Sequence, residues 1–228
     1  MVGISEMESG IDYEKGARYW EGIDPTIDGM LGGFGKVSNP DLKDSSTFLK
    51  TLFKGTSEAC GPSNGRALDC GAGIGRISRN LLSKHFMKVD IVEQSPKFLE
   101  QAKIYCGNSD RIEGFTCAGL QDYSPKDDTY DVIWCQWVLG HLTNEDLVKF
   151  FNRCKKSLRP NGLIVVKENL TSSGVSEVDQ EDGSITRPEE ELLSIFQKAG
   201  LVLIKEMTQR LFPKELYPVK MFALRPKQ

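Results

Sequence analysis

Histidine is scarce in this sequence, which contains two among its 228 residues, His85 and His141. The six cysteines are scattered along the chain, and none forms a Cys-x-x-Cys pair. Because a structural zinc ion takes clustered Cys or His ligands, this composition argues against a zinc site, and we expect no bound metal. Cys70, Cys117 and Cys135 lie in apolar, strand-like runs, which favours reduced core cysteines of an intracellular protein.

Long apolar runs are missing as well. No stretch approaches the roughly 18 residues of a membrane span, and residues 1–10 lack the charged and apolar regions of a signal peptide. The net charge of −3 argues against a surface that coats nucleic acid and is compatible with a cationic substrate. We therefore expect neither a membrane nor a nucleic acid as a direct partner.

The length of the chain and the order of its segments predict a single domain, residues 1–228. Residues 1–10 are expected to be mobile, 11–65 to form an N-terminal helical cap with a lid loop, and 66–228 to form the catalytic core. Four glycines in residues 29–35 mark the loop. Composition alone favours an ordinary surface loop there, whereas the functional interpretation is a lid that closes over a site.

The most informative motif is ALDCGAGIGR, residues 67–76. It indicates a buried strand, a turn with Gly71, Gly73 and Gly75, and the start of a helix whose free N–H groups face the turn. The spacing differs from that of a dinucleotide motif, and the lysine of a phosphate-binding loop is absent. Glu93 closes the next strand, where its carboxylate can accept hydrogen bonds from ribose hydroxyls. Together these features favour a nucleoside cofactor without a pyrophosphate.

From Arg66 onward, strand-like and helix-like segments alternate, which predicts a parallel, doubly wound sheet followed by a terminal hairpin. Ser95 is expected to cap a helix that has Pro96 at its first position. In the N-terminal region, Ser45 or Ser46 is expected to cap a helix.

Ligands of such sheets bind beyond the carboxyl ends of the strands, which draws attention to the run QWVLGH, residues 136–141. Trp137 alone would fit an aromatic residue that covers the sheet edge, and His141 alone would fit a helix cap. Their joint position beside the glycine loop favours a functional role. The acidic run 177–182 alone indicates a solvated loop. Since it follows a strand that ends at the site, it is interpreted as an acidic wall for a cationic substrate.

These motifs together resemble the protein α-N-terminal methyltransferases, which methylate the N-terminal amine of proteins beginning Xaa-Pro-Lys. The resemblance covers nearly the whole chain. It is carried by the glycine motif and by YW (19–20), PTIDGMLGG (25–33), GLQD (119–122), WCQWVLGH (134–141), RPNG (159–162) and FALR (222–225). The first motif also resembles that of class I methyltransferases in general, whereas DGMLGG and WCQWVLGH are far more specific.

The resemblance implies a class I, Rossmann-like α/β fold: a mostly parallel seven-stranded sheet with helices on both faces, an N-terminal helical cap and a lid loop. It implies S-adenosyl-L-methionine as cofactor, S-adenosyl-L-homocysteine as product, and location in the nucleus and cytoplasm. The implied partners are protein N-terminal tails that begin Xaa-Pro-Lys or Xaa-Pro-Arg. Two departures are Glu93, where an Asp is common, and an acidic loop that is one residue longer.

Carried over by position, the resemblance also implies roles for individual residues. The cofactor contacts are Gly71, Gly73, Arg76, Glu93, Leu120, Gln121 and Gln136. The substrate contacts are Trp20, Leu31, Gly32, Val37, Trp137, Asp179, Leu216 and Tyr217. The catalytic residues are His141, Asp182 and Asn169.

Two other functions are compatible with such a fold. A small-molecule methyltransferase would have a closed, more apolar pocket, and the acidic run 177–182 argues against it. A catalytically inactive cofactor-binding subunit would be expected to have lost the glycine motif or the site residues, which are intact here. Within the favoured function, the proton acceptor is either His141 or a nearby carboxylate such as Asp182.

Overall fold

A seven-stranded mixed sheet forms the centre of the protein, as described by a computed structural model for residues 11–55 and 60–227. Its strands are β1 (Arg66–Cys70), β2 (Lys88–Glu93), β3 (Ile112–Cys117), β4 (Tyr130–Gln136), β5 (Leu158–Asn169), β8 (Leu201–Thr208) and β9 (Val219–Pro226). Between β5 and β8, a separate two-stranded hairpin is formed by β6 (Glu177–Val178) and β7 (Ile185–Thr186). The predicted mobility of residues 1–10 concerns a segment that lies outside the described residues.

The strand order is β3-β2-β1-β4-β5-β9-β8. The first five strands are parallel, and β9 runs antiparallel to both β5 and β8. β4 is buried along its entire length, as expected for a central strand that is covered on both faces. The predicted fold, five parallel strands followed by a terminal hairpin, is confirmed.

Helices cover both faces of the sheet, and each face has its own hydrophobic core. The helices are α1 (Tyr13–Gly22), α2 (Ile27–Met30), α3 (Ser38–Phe53), α4 (residues 76–85), α5 (Pro96–Cys106), α6 (Asn144–Ser157) and α7 (Glu189–Lys198). One core packs α6 and α7 on the sheet through Phe151 and Phe196. The other packs α3, α4 and α5 on the opposite face, around residues such as Phe48 and Phe86. Within the described ranges, none of the helices combines the length and apolar character that crossing a membrane requires.

The start of α3 differs from the prediction. The helix begins at Ser38, and Ser45 lies buried in its interior, where its hydroxyl accepts a hydrogen bond from Lys167. Pro40 is tolerated because it lies in the first turn, where backbone N–H groups have no acceptor within the helix. Ser95 does cap α5 as predicted, accepting a hydrogen bond from the backbone N–H of Phe98.

The environment of one cysteine also differs from the prediction. Cys70 and Cys135 are buried, as expected, but Cys117 is exposed. The reason is its position at the end of β3, an edge strand of the sheet. All six cysteines are free thiols.

Candidate active site

A cavity of about 120 Å³ opens beyond the carboxyl ends of β1, β2 and β4. Its walls come from the glycine loop, the three strand ends, the segment that follows β3, α1 and the turn of the β6–β7 hairpin. Eleven of the residues named from the sequence line it: Gly71, Gly73, Arg76, Glu93, Leu120, Gln121, Gln136, Trp20, Trp137, His141 and Asp182. The cavity therefore brings together the seven expected cofactor residues and four expected substrate or catalytic residues.

The glycine loop needs residues without side chains. Gly71 has φ of +67°, and a Cβ there would lie 2.3 Å from Cγ2 of Val138. Gly73 has φ of +55°, and a Cβ there would lie 2.8 Å from Sδ of Met30. Left-handed backbone and close neighbours together explain glycine at both positions. The backbone of the loop consequently forms part of the cavity wall.

Two buried carboxylates lie in the cavity wall. Glu93 accepts hydrogen bonds from the backbone N–H groups of Gly73 at 2.8 Å and Ser95 at 2.9 Å, and burial raises its pKa. Asp69 accepts a hydrogen bond from the hydroxyl of Ser78 at 2.6 Å, and burial raises its pKa to about 6. These carboxylates favour binding of a cation. Asp69 is not among the cofactor contacts that the resemblance implies by position, although an acidic residue in the glycine motif suits a cationic cofactor.

A short turn carries His141, and two charged side chains hold it. One carboxylate oxygen of Glu168 accepts hydrogen bonds from the backbone N–H groups of Val138 at 2.9 Å and Leu139 at 2.8 Å. Arg187 donates to the carbonyl oxygens at the other side of the turn, those of Leu139 and Leu142. Burial raises the pKa of Glu168 to about 7, although both hydrogen bonds oppose this shift. The backbone that positions the imidazole is thus fixed from two directions.

His141 contacts an aromatic donor and a carboxylate. Its Nε2 lies 3.1 Å from the indole nitrogen of Trp20 and 3.8 Å from Oδ2 of Asp182. Burial lowers the pKa of His141, and the carboxylates of Asp182 and Asp179 oppose this shift. An imidazole that remains neutral near pH 7 is suited to accept a proton.

Trp137 has an unusual backbone conformation for a non-glycine residue, with φ of +53°. Its ring lies close to Phe212, at a centroid distance of 6.3 Å, and to the guanidinium of Arg76, at 5.6 Å. Its indole N–H is buried and has no hydrogen-bond partner among the described residues. Backbone strain and an unpaired donor are typical of a functional site.

A buried ionic network lies behind this ring. The carboxylate of Asp41 accepts hydrogen bonds from Arg76 at 2.7 Å, from Gln136 at 2.9 Å and from Lys167. The network joins α3 to the start of α4 and to the ends of β4 and β5. Sequence reasoning missed Asp41 as part of the site. The spacing of Asp41 and Ser45 places both on one face of α3, but it does not indicate that this face is buried.

Seven predicted site residues lie outside the cavity lining. They are Asn169 at the end of β5, Leu31 and Gly32 after α2, Val37, Asp179, Leu216 and Tyr217. Val37 is buried, whereas Asp179 and Tyr217 are exposed. The hydroxyl of Tyr217 donates to Glu177 at 2.6 Å, which ties the C-terminal segment to the β6–β7 hairpin. Their substrate and catalytic roles stay predictions.

Within the part of the chain that the structure describes, no group of three or more His, Cys, Asp or Glu side chains is arranged to hold a metal ion. The donor set of the cavity fits S-adenosylmethionine instead. A loop without side chains admits a ligand close to its backbone, Glu93 offers acceptors for hydroxyl groups, and Asp69 offers a negative charge for a cation. Fold and site together define a class I methyltransferase that uses S-adenosylmethionine.

Comparison with known proteins identifies the family. A sequence model of the family described as AdoMet-dependent proline di-methyltransferase matches residues 8–225. The chain is 48% identical to N-terminal Xaa-Pro-Lys N-methyltransferase 1 of Mus musculus and 47% identical to that of Homo sapiens, in each case over 93% of this chain and 95% of the relative. A solved SAM-dependent methyltransferase from Leishmania major is 37% identical, with a TM-score of 0.87 over 93% of this chain and 82% of that one. The chain belongs to this family of AdoMet-dependent methyltransferases.

Proposed function

We propose that this enzyme transfers methyl groups from S-adenosylmethionine to the α-amine of proteins whose processed N terminus reads Xaa-Pro-Lys or Xaa-Pro-Arg. The observation that carries the proposal is the identity of 48% with a relative named for Xaa-Pro-Lys N termini, spread over 93% of the chain. The cavity supports it, because Trp137, His141 and Asp182 lie in the same lining as the glycine loop.

The chemistry requires a proton acceptor. A free α-amine has a pKa of about 7.7–8.0, so much of it is protonated at neutral pH and has no lone pair for attack. When bound, S-adenosylmethionine supplies an electrophilic methyl group on a positively charged sulfur. In this proposal His141 or Asp182, whose facing atoms are 3.8 Å apart, takes the proton that the α-ammonium must lose. The residues around the cavity then contribute by orienting the amine and excluding water.

Recognition of the substrate is assigned to the remaining polar and aromatic groups. Trp137 offers a flat face to a proline ring, and Asn169 a hydrogen bond to the amine or the first carbonyl group. Asp179 and Asp182 attract the cationic side chain at the third position. The side chain of Asp179 accepts a hydrogen bond from the backbone N–H of Glu181, which holds the acidic turn in shape.

Mass spectrometry of peptides tests the proposal. A peptide that begins Ser-Pro-Lys should gain methyl groups on its N terminus when incubated with enzyme and S-adenosylmethionine. Matched peptides that begin Ser-Ala-Lys or Ser-Pro-Glu, or whose N terminus is acetylated, should gain far less. Equal methylation of the acetylated peptide would place the reaction on a side chain and contradict the proposal.

We also propose that the enzyme acts in the nucleus and cytoplasm, as members of the family that its motifs resemble are expected to do. Fluorescence microscopy of the full chain fused to a reporter, expressed at native level, measures the distribution directly. A signal confined to a membrane-bound organelle of the secretory pathway would contradict it.

A further inference from the structure

Trp20 makes a hydrogen bond that determines which nitrogen of His141 carries the proton. The indole N–H of Trp20 donates to Nε2 of His141 at 3.1 Å. An indole nitrogen can only donate, so Nε2 is the accepting nitrogen and the neutral imidazole carries its proton on Nδ1. The opposite tautomer would place two N–H groups against each other.

Packing holds the two rings in this arrangement. The ring planes are nearly perpendicular with centroids 5.9 Å apart, and Trp20 also packs edge-on against Phe98 of α5. Gly16, one turn before Trp20 on α1, lies against the other side of the imidazole, since a Cβ there would be 3.6 Å from Nδ1. His141 therefore presents Nδ1 to the backbone of α1, and Nε2 to Trp20 and Asp182.

We propose that Trp20 is a positioning residue that holds His141 as the Nδ1-protonated tautomer. The lone pair then lies on Nε2, the ring nitrogen that is near Asp182. This role rests on the proposed function, in which an α-ammonium must lose a proton before methyl transfer. The substrate then meets an imidazole whose accepting nitrogen is already oriented. When Nε2 accepts the substrate proton, its hydrogen bond from the indole N–H is broken.

The carboxylates near His141 favour its protonated form. The hydrogen bond from Trp20 favours the neutral form, so its loss should have a measurable effect on the pKa of His141. The charged groups on the elements packed around the imidazole are Asp179 and Asp182 of the hairpin turn, Lys15 of α1 and Asp146 of α6. Burial lowers the pKa of His141, and of these groups the two hairpin carboxylates oppose that shift. A hydrogen bond donated to the neutral form lowers the pKa, so loss of the indole N–H should leave the carboxylates to favour the imidazolium.

The tautomer can be read directly by NMR of ¹⁵N-labelled imidazoles, since the chain has two histidines. In the full-length wild type, alone and with S-adenosylhomocysteine, His141 should show a protonated Nδ1 and an unprotonated Nε2. In Trp20→Phe, which keeps an aromatic ring, His141 should become a mixture of tautomers and titrate at higher pH. His85, whose Nε2 lies 2.9 Å from the hydroxyl of Ser46, is the internal control and should not change.

Activity supplies the second readout. At pH values well below the pKa, each unit by which the pKa of His141 rises lowers the unprotonated fraction about tenfold. Trp20→Phe should therefore lose kcat/KM several-fold at pH 6 and approach the wild type at pH 9, whereas Ser46→Ala should follow the wild-type profile throughout.

A wild-type His141 protonated on Nε2, or an unchanged titration in Trp20→Phe, would overturn the proposal even if the variant were poorly active. Because the NMR measurement uses no peptide, it separates failure of this proposal from failure of the proposed function. The latter would appear as absence of peptide methylation by the wild type.

Discussion

The ammonium of Lys167 and the carboxylate of Asp41 form an ion pair in which both side chains are completely buried, although 126 residues separate them in the sequence. Lys167 also donates to the hydroxyl of Ser45 at 2.9 Å and to the side-chain oxygen of Gln209 at 2.6 Å. Its Nζ lies 6.0 Å from the ring centroid of Trp137. The pair thus connects the N-terminal helical region and the C-terminal strands beneath a predicted substrate residue.

Lys167→Met should destabilise the protein strongly. The substitution leaves the buried carboxylate of Asp41 without one of its two cationic partners, a change that typically costs about 3 kcal/mol or more. Urea denaturation gives the free energy of unfolding. The matched control is Lys103→Met, which breaks an exposed pair with Glu100 and should cost less than about 1 kcal/mol. Equal stability of the two variants would contradict the structural role of the network.

Local signals explain why much of the fold follows from the sequence. β2 ends at Glu93, and α5 follows Ser95 with Pro96 in its first turn, because caps and periodicity are encoded in neighbouring residues. The cofactor side of the cavity follows for a related reason. Gly71 and Gln136 come at the ends of parallel strands, which necessarily meet at one edge of the sheet.

The long-range polar contacts do not follow from the sequence. Trp20 and His141 are 121 residues apart, and a polar residue does not by itself indicate its partner. The pairing of Asp41 with Lys167 could not be predicted for the same reason. Charged residues are mostly exposed, and the folded structure alone shows which of them are buried next to a counter-ion. For this reason the residues that line the cavity were predictable as a group, whereas the contacts that orient them were not.

Glu168→Gln should change the pH dependence of stability. The pKa of Glu168 is raised from 4.5 to about 7 in the folded protein, so the folded state binds the proton more tightly than the unfolded state. The resulting stabilisation is complete below the unfolded pKa and is lost as the pH rises through about 7. The glutamine variant lacks this titration and should therefore gain stability relative to the wild type between pH 5 and pH 8.

Chemical denaturation at a series of pH values measures that difference. Glu190→Gln, at an exposed position of α7, is the control and should differ from the wild type by less than about 0.5 kcal/mol. A constant difference between Glu168→Gln and the wild type across this range would show that Glu168 titrates at the same pH in both states.

Gly71→Ala should weaken cofactor binding, because its new Cβ would lie 2.3 Å from Val138 and would displace the turn that carries His141. Gly174→Ala is a control for the general cost of a side chain at a glycine with positive φ. Gly174 also has positive φ, +78°, but a Cβ there would meet nothing within 4 Å. Calorimetry with S-adenosylhomocysteine should show a large loss of affinity for Gly71→Ala only. Similar losses in both variants would show that the effect does not come from the contact with Val138.

Cofactor binding should release protons near pH 6, and Asp69 should be their main source. Its pKa is raised to about 6 by burial, so a substantial fraction of this carboxyl group is protonated at that pH. A cation in the cavity favours the ionised form, lowers the pKa and expels the proton. Affinity for S-adenosylmethionine should therefore rise as the pH increases from 5 to 7 and level off above it.

Calorimetry at pH 6 in two buffers of different ionisation enthalpy counts the protons released. Asp69→Asn keeps an acceptor for the hydroxyl of Ser78 but cannot titrate, so it should bind more weakly and release fewer protons. The release should be reduced rather than abolished, because burial also raises the pKa of Glu93 in the same cavity. At pH 8 both proteins should bind without release, since the carboxylates are already ionised. If Asp69→Asn released as many protons as the wild type at pH 6, Glu93 would be their source. Asp69 would then not be a carboxylate that binds the cation.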